Sequence, residues 1–142
     1  MIYLLDTNVI SELHKIKSEP KVMAWLAAIS PQYVGTSVLC VGEIRKGIEK
    51  LSDAPRKAKL IHWLETELNA YFEDRILDVT MQIADKWGYI AAHVPNLPAI
   101  DGLLAASALI HNLKLVTRNL KDFMAVPGLE LVNPWDLSTA DI

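Results

Sequence analysis

Short runs of apolar residues alternate along the chain with longer segments in which apolar residues recur every three or four positions. The short runs are typical of strands buried on both faces, and the longer segments are typical of amphipathic helices. Strands are predicted at 2–5, 33–36, 76–79, 114–117 and 129–132. Helices are predicted at 9–14, 20–29, 55–71 and 99–111. Two further helices are predicted to begin after a capping residue: one follows Ser37 and includes the apolar positions of 41–51, and one follows Thr80 and covers 81–92.

This alternation of strands and helices predicts an α/β fold. We expect a mainly parallel central sheet of four or five strands, with helices on both faces. No linker or internal repeat interrupts the pattern, so residues 1–142 are predicted to form a single domain.

Polar side chains recur where the predicted strands end or where a following helix begins. Ligands bind outside the carboxyl ends of strands in such sheets, so these positions carry functional information. The residues concerned are Asp6 after the first strand, Glu43 on the helix after the second, Asp101 in the first turn of the helix from 99, and Thr117, Asn119 and Asp122 after the fourth strand.

Each of these residues has an ordinary structural role when it is taken alone. Asp6 and Asp101 are well placed to cap helices, and Asn119 and Asp122 are common turn residues. Glu43, however, borders the apolar stripe of its helix, and Asp101 is the only Asp, Glu, Lys or Arg between Lys86 and Lys114. The functional interpretation depends on the set, because acids from distant parts of the chain fall at one edge of the sheet.

Clustered carboxylates repel one another unless a cation neutralises them. Mg²⁺ or Mn²⁺ suits oxygen ligands, whereas the lone Cys40 and four histidines without HxH or HExxH spacing do not suggest a softer metal. A metal held in this way can activate water against a phosphodiester. The predicted chemistry is therefore hydrolysis of a phosphate ester.

Composition is compatible with this chemistry. The chain has 142 residues, 51% of them hydrophobic. Its net charge of 14 − 17 = −3 argues against a protein that binds nucleic acid through a large excess of positive charge. It does not argue against an enzyme whose carboxylates hold cations. The single cysteine favours a cytoplasmic location, turns within 22–42 exclude a membrane span, and the first residues show no secretory leader.

Four segments in order resemble the motifs of PIN-domain ribonucleases. They are Leu4–Glu12, Val41–Gly47, Ile100–Ala108 and Leu115–Asn119. More narrowly, the chain resembles VapC-type toxins of bacterial type II toxin–antitoxin pairs, including the FitB-like branch, to which the ending 133–135 (Asn-Pro-Trp) is similar. The resemblance covers nearly the whole chain.

The resemblance implies roles for individual residues. Asp6, Glu43 and Asp101 match the acidic metal-site residues, and Thr7 or Asn8 together with Thr117 match the polar groups that brace them. Many members carry an acid where this chain has Asn119, while others have asparagine there and an acid three residues later, as Asp122 is here. Both residues therefore stay candidates for completing the site. Arg45, Lys46 and Arg118 are candidates for RNA phosphate contact, with an ordinary solvated role as the alternative.

The resemblance also implies partners. We expect cleavage of RNA with Mg²⁺ (or Mn²⁺), a homodimer, and a cognate antitoxin whose tail enters the acidic groove. The antitoxin would also carry a larger assembly onto operator DNA. No membrane partner is expected.

Two other functions fit part of the pattern. A phosphatase of the haloacid dehalogenase type also has an aspartate after its first strand, but its second aspartate would fall where Asn8 stands. A catalytically silent protein that keeps the fold to bind a partner or RNA is compatible with Asn119.

Overall fold

A parallel sheet of five strands forms the centre of the molecule within residues 1–137, which the computed structural model describes. The strands are β1 (Tyr3–Leu5), β2 (Val34–Ser37), β3 (Ile76–Leu77), β4 (Lys114–Val116) and β5 (Leu131–Val132). Their order is β3-β2-β1-β4-β5, and every neighbouring pair is parallel. The predicted α/β class and parallel sheet are confirmed. The last five residues of the predicted single domain lie outside the described residues.

Helices connect the strands. They are α1 (Thr7–Ser11), α2 (Pro20–Ala27), α3 (Val38–Glu49), α4 (Ala54–His62), α5 (Leu68–Phe72), α6 (Met81–His93), α7 (Ala99–Ile110) and α8 (Leu120–Phe123). Short 3₁₀ turns at Glu12–His14 and Pro31–Tyr33 follow α1 and precede β2. No helix in this described part combines the length and apolar composition of a membrane crossing.

Local sequence explains where several helices begin. The Ser37 hydroxyl accepts the backbone N–H of Leu39 at 3.1 Å, and the Thr80 hydroxyl accepts that of Ile83 at 3.3 Å. Asp53 caps α4 in the same way. Side-chain acceptors of this kind satisfy N–H groups that have no partner inside the helix, so the predicted helix starts after Ser37 and Thr80 are confirmed. Asp101 does not cap its helix, because the N-cap of α7 is Pro98.

Three local features differ from the predictions. The helix predicted at 55–71 is interrupted by a π-helical turn at Trp63–Glu67. Tyr33 belongs to a 3₁₀ turn rather than to β2, and α8 follows β4 where no helix was predicted. A four-residue helix contains about one turn, which is too short for a 3.6-residue period to be visible in the sequence.

The sheet has a topological switch point between β1 and β4. The chain adds β2 and β3 on one side of β1 and then returns to add β4 and β5 on the other side. Leu4 and Leu5, which point to opposite faces of β1, are both 0% exposed, so both faces of the sheet are covered. Side chains are therefore accessible only at the strand ends, and the crevice at the carboxyl ends of β1 and β4 is the expected ligand site.

Glu12 is a buried acid just behind this crevice. Its residue is 3% exposed, and its carboxylate accepts the backbone N–H of Glu19 at 2.8 Å and pairs with the ammonium of Lys15. Burial alone would raise the pKa of Glu12, but the bonds from Lys15 and Glu19 outweigh it and hold the pKa below 4.5. Glu12 thus fixes the loop that joins α1 to α2.

We predict that Glu12→Gln lowers the free energy of unfolding by about 1 to 2 kcal/mol at neutral pH, because a charge-assisted contact is lost. A depressed folded pKa means that this contribution is present above 4.5 and is lost as the pH falls through the folded value. Urea unfolding across acidic and neutral pH should show the two proteins converging in acid. A difference in the free energy of unfolding between wild type and Glu12→Gln that does not change with pH would contradict the assignment. An equally large loss of stability in Glu67→Gln, which changes an exposed acid, would contradict it as well.

Candidate active site

Asp6 lies at the centre of the candidate site, at the carboxyl end of β1. Its residue is 4% exposed, and as the N-cap of α1 its Oδ1 accepts the backbone N–H of Thr7 at 2.7 Å. Its Oδ2 accepts the hydroxyl of Thr117, at the end of β4, at 2.8 Å. The helix-capping role and the site role therefore belong to the same carboxylate, with one oxygen held from each side of the switch point.

Asn8 links this carboxylate to the segment after β4. Its amide nitrogen lies 3.4 Å from Asp6 Oδ2 and 3.3 Å from Thr117 Oγ1, and its Oδ1 accepts the backbone N–H of Arg118 at 3.2 Å. Thr117 Oγ1 also accepts the backbone N–H of Asn119 at 3.0 Å. The side chains predicted to brace the acids do contact them.

Glu43 reaches the site from α3. The Thr7 hydroxyl donates to Glu43 Oε1 at 2.6 Å, which joins α1 to α3 across the crevice. Ligand atoms of Asp6, Glu43 and Cys40 all lie within 4.8 Å of one another. Two of the three predicted metal-site acids are therefore adjacent.

Asp101 lies in the first turn of α7, where Gly102 permits a close packing contact. A Cβ atom added to Gly102 would lie 2.8 Å from Cδ1 of Trp87, so the indole of Trp87 packs directly against the start of α7. Within the described residues the Asp101 carboxylate makes no side-chain hydrogen bond or ion pair. Asp101 is held by its helix alone.

Burial and neighbouring acids raise the pKa values of Asp101 and Asp6. Burial and then the charges of Asp6, Glu43 and Asp122 raise the pKa of Asp101 to about 6. Burial raises the pKa of Asp6 above 3.8, with further increases from Glu43 and Asp122, although hydrogen bonds from Thr117 and Thr7 oppose the shift. Four carboxylates from four separate segments thus share one electrostatic environment.

Asp122 and Asn119 contribute differently. The charge of Asp122, on α8, acts on both Asp6 and Asp101, as that of Glu43 does. Asn119 contributes its backbone N–H to Thr117, and its exposed side chain makes no cap bond to α8. Of the two candidates after β4, Asp122 is thus the one whose charge acts on the other acids.

The three predicted RNA-contact cations have different surroundings. Arg45 pairs with Glu49 at 3.0 Å and with Glu65 at 3.2 Å, and Lys46 is exposed on α3. Arg118 is exposed and directly follows Thr117, with its backbone bonded to Asn8. Of the three, only Arg118 is tied to the hydrogen-bond network of the acids.

Two residues near the site have no predicted role. Cys40 is 0% exposed beneath Asp6 and Glu43, and its thiol donates to the carbonyl of Leu5 at 3.6 Å. Burial raises the pKa of Cys40 to about 12, so its sulfur stays protonated. The second is Glu12, described above. Their spacing offers the only sequence signal, since Cys40 precedes Glu43 by three residues on one helix and Glu12 follows Asn8 by four.

The donor set fits a hard divalent cation. Carboxylate oxygens that already repel one another gain most from a cation with two positive charges, and oxygen is the preferred ligand of Mg²⁺ and Mn²⁺. A protonated thiol is a poor ligand, because metals bind the thiolate. Mg²⁺ or Mn²⁺ therefore suits this cluster better than a thiolate-seeking metal.

Comparison with known proteins extends these observations. The PIN domain family model matches residues 3–129. Toxin FitB of Neisseria gonorrhoeae is 34% identical over 93% of this chain and 97% of its own length. VapC ribonuclease Y4jK of Sinorhizobium fredii is 31% identical over 94% of this chain and 97% of its own.

Solved structures show the same fold. FitAcB from Neisseria gonorrhoeae contains a chain that superposes with a TM-score of 0.89 at 33% identity, covering 96% of this chain and all of that chain. A chain in the structure of FitAB bound to an IR36 DNA fragment superposes with a TM-score of 0.88 at 31% identity, covering 96% of this chain and 97% of that chain.

We predict that Asp101→Asn stabilises the metal-free protein and removes its response to Mg²⁺. At neutral pH without divalent cations the free energy of unfolding of the variant should be higher by about 1 kcal/mol, because one repelling charge is removed. Solvent screens this half-buried site in part, which keeps the gain small. Added Mg²⁺ should raise the melting temperature of the wild type and leave that of the variant unchanged.

Thermal unfolding with a chelator and with Mg²⁺ measures both effects. Asp85→Asn, which removes an exposed acid from α6, is the matched control and should respond to Mg²⁺ as the wild type does. Equal Mg²⁺ stabilisation of Asp101→Asn and wild type would show that the cation binds elsewhere.

Proposed function

Because the chain belongs to the PIN domain family, we propose that it is the toxin of a type II toxin–antitoxin pair and acts as a Mg²⁺- or Mn²⁺-dependent endoribonuclease. One observation carries the catalytic part: carboxylate oxygens of Asp6 and Glu43 lie within 4.8 Å of each other at the switch point, and burial, together with their charges and that of Asp122, raises the pKa of Asp101. The similarity to a toxin and to a ribonuclease over most of their lengths supports the biological part.

The four acids and their hydrogen-bond partners have different proposed roles. Asp6 and Asp101 would hold the cation, with Glu43 and Asp122 completing the ring of acids. A cation there supplies positive charge that lowers the pKa of bound water and offsets charge on the phosphate. Thr117 and Asn8 fix the orientation of the Asp6 carboxylate through its Oδ2 atom.

Glu43 is suited to take a proton from the attacking water. Its Oε1 accepts the hydrogen bond of the Thr7 hydroxyl at 2.6 Å, which fixes the orientation of the carboxylate. Within the described residues its Oε2 accepts no hydrogen bond and is available as a proton acceptor. Loss of Thr7 would therefore loosen the base without removing it.

The other two functions receive less support. The phosphatase type would need its second aspartate where Asn8 stands, and Asn8 instead contacts Asp6. Of the two relatives described above, one is a toxin and the other a ribonuclease, and neither is a phosphatase by name. A catalytically silent binding protein would have no need to keep Asp122 within reach of Asp6 and Asp101. Activity measurements distinguish both from the ribonuclease.

The partners follow from the same assignment. We propose a cognate antitoxin that inserts a basic side chain among the acids, where it would compete with the cation. A homodimer, a cytoplasmic location and assembly on operator DNA through the antitoxin complete the proposal. The DNA-bound FitAB complex supports the last of these.

We predict that the purified protein cleaves RNA only with Mg²⁺ or Mn²⁺, and that Asp6→Asn and Asp101→Asn each lower the rate by about a hundredfold or more, because each removes a charged metal ligand. Gel analysis of labelled RNA measures the rate. Asp85→Asn should cleave at the wild-type rate.

Undiminished cleavage by either site variant would contradict the metal-site assignment. Cleavage that survives a chelator would contradict the metal dependence. Formation of a phosphoenzyme at Asp6 would instead support the phosphatase.

We further predict that RNA binding itself depends on a divalent cation, since the uncompensated acids repel phosphate. With Ca²⁺, which takes the same oxygen ligands, fluorescence anisotropy should show binding at least about tenfold tighter than with a chelator at equal ionic strength. Affinity that does not respond to Ca²⁺ would place the RNA away from the acids.

A further inference from the structure

A cavity of about 740 Å³ is formed by the segment that follows β4, which includes Asp122, and by Leu131 of β5. Its volume is within the range of small-molecule sites. Its lining includes Arg118, Asn119, Lys121, Asp122, Met124 and Leu131. Asn119 of this lining donates its backbone N–H to Thr117, whose hydroxyl donates to Asp6, so the cavity adjoins the hydrogen-bond network of the acids.

Arg118 is held in place at this cavity by Trp135. Its guanidinium carbon lies 5.2 Å from the centre of the Trp135 ring, and Trp135 is fixed by its backbone N–H bond to Asn133 Oδ1 at 2.9 Å. The cation also lies near enough to the buried Glu12 carboxylate to affect its pKa. The cation–π contact restrains a side chain that is otherwise exposed.

The backbone of Arg118 is tied to the catalytic acids. Its N–H donates to Asn8 Oδ1 at 3.2 Å, and the amide nitrogen of Asn8 contacts Asp6. Through these two bonds the cavity keeps a fixed position relative to the place where a phosphodiester would be cut. An RNA nucleotide next to the cleaved bond is therefore within reach of the cavity.

The lining has the chemistry of a nucleotide site. Guanidinium planes that rest on an aromatic ring stack well with nucleobases. Lys121 adds a second positive charge suited to phosphate, and Met124, 71% exposed, together with Leu131 offers apolar surface to a base. The chain as a whole has a net charge of −3, but Arg118 and Lys121 make this part of the surface locally positive.

We propose that this cavity is a nucleotide subsite of the RNA-binding site, in which a nucleobase adjacent to the cleaved phosphodiester stacks on Arg118 and Lys121 contacts a neighbouring phosphate. Trp135 is the positioning residue that holds Arg118 in place for this stacking. The inference rests on the proposed ribonuclease function and specifies how substrate is held.

The test compares Arg118→Lys, which keeps the charge but loses the plane, with Trp135→Leu and Trp135→Phe. Anisotropy with single-stranded RNA and Ca²⁺ should show about five- to hundredfold weaker binding for Arg118→Lys and Trp135→Leu. Trp135→Phe retains a ring and should bind nearly as the wild type. With Mg²⁺, kcat should be unchanged while KM rises. Arg56→Lys, an exposed change on α4, is the matched control.

A second measurement identifies the group that is bound. RNA oligonucleotides with a single abasic site, placed at each position in turn, should lose affinity for the wild type when the missing base flanks the cleavage site. Arg118→Lys should show no such loss, because the stacking partner is already absent. Circular dichroism confirms that each variant is folded.

The outcomes separate this inference from the function on which it rests. Wild-type RNA cleavage with unchanged KM in Arg118→Lys and Trp135→Leu would overturn the subsite and leave the ribonuclease intact. Variants that bind RNA normally but escape inhibition by the antitoxin would show a protein-docking site instead. Absence of RNA binding and cleavage in the wild type would overturn both.

Discussion

The hydrogen bond from Thr117 to Asp6 joins the ends of the two strands on either side of the switch point. Parallel strands bring side chains from distant parts of the chain to one edge, and this bond and the contacts of Asn8 fix the β1 end relative to the β4 end. The hydroxyl serves as donor to the carboxylate and as acceptor from the Asn119 backbone. A single buried threonine thus couples the β1 end to the β4 end.

The arrangement concentrates negative charge where a folded protein would ordinarily avoid it. Burial and mutual repulsion raise the pKa values of Asp6 and Asp101, and hydrogen bonds offset this only for Asp6. A divalent cation would relieve the repulsion and attract phosphate with the same charge. Arg118 and Lys121 lie at the margin of this acidic region, so charge changes sign over a short distance along the proposed RNA path.

Most of the fold could be predicted because buried parallel strands and amphipathic helices leave strong periodic patterns. Thr7, Asn8 and Thr117 were predicted as braces and do contact Asp6 or Glu43. The assignment of Asp6, Glu43, Asp101 and Asp122 to a metal site stays a prediction, which the proximity of Asp6 to Glu43 supports. What sequence reasoning missed depends on tertiary packing.

Helix α8, the π-helical turn and the burial of Cys40 and Glu12 illustrate that limit. Each depends on the tertiary contacts of a short segment. A one-turn helix or a single buried acid is too short to produce a periodic pattern of apolar residues in the sequence. The contact of Arg118 with Trp135 joins residues seventeen positions apart in sequence through the ends of β4 and β5. Only the sheet order makes them neighbours.

The central claim is that the acids at the switch point together hold one or more divalent cations. Anomalous diffraction from crystals soaked in Mn²⁺ tests it most directly, because the scattering locates the metal irrespective of activity. We expect a peak ligated by carboxylate oxygens of Asp6 and Asp101, with Glu43 or Asp122 completing the site. Well-ordered acids without a peak between them, or Mn²⁺ bound only elsewhere, would contradict the account.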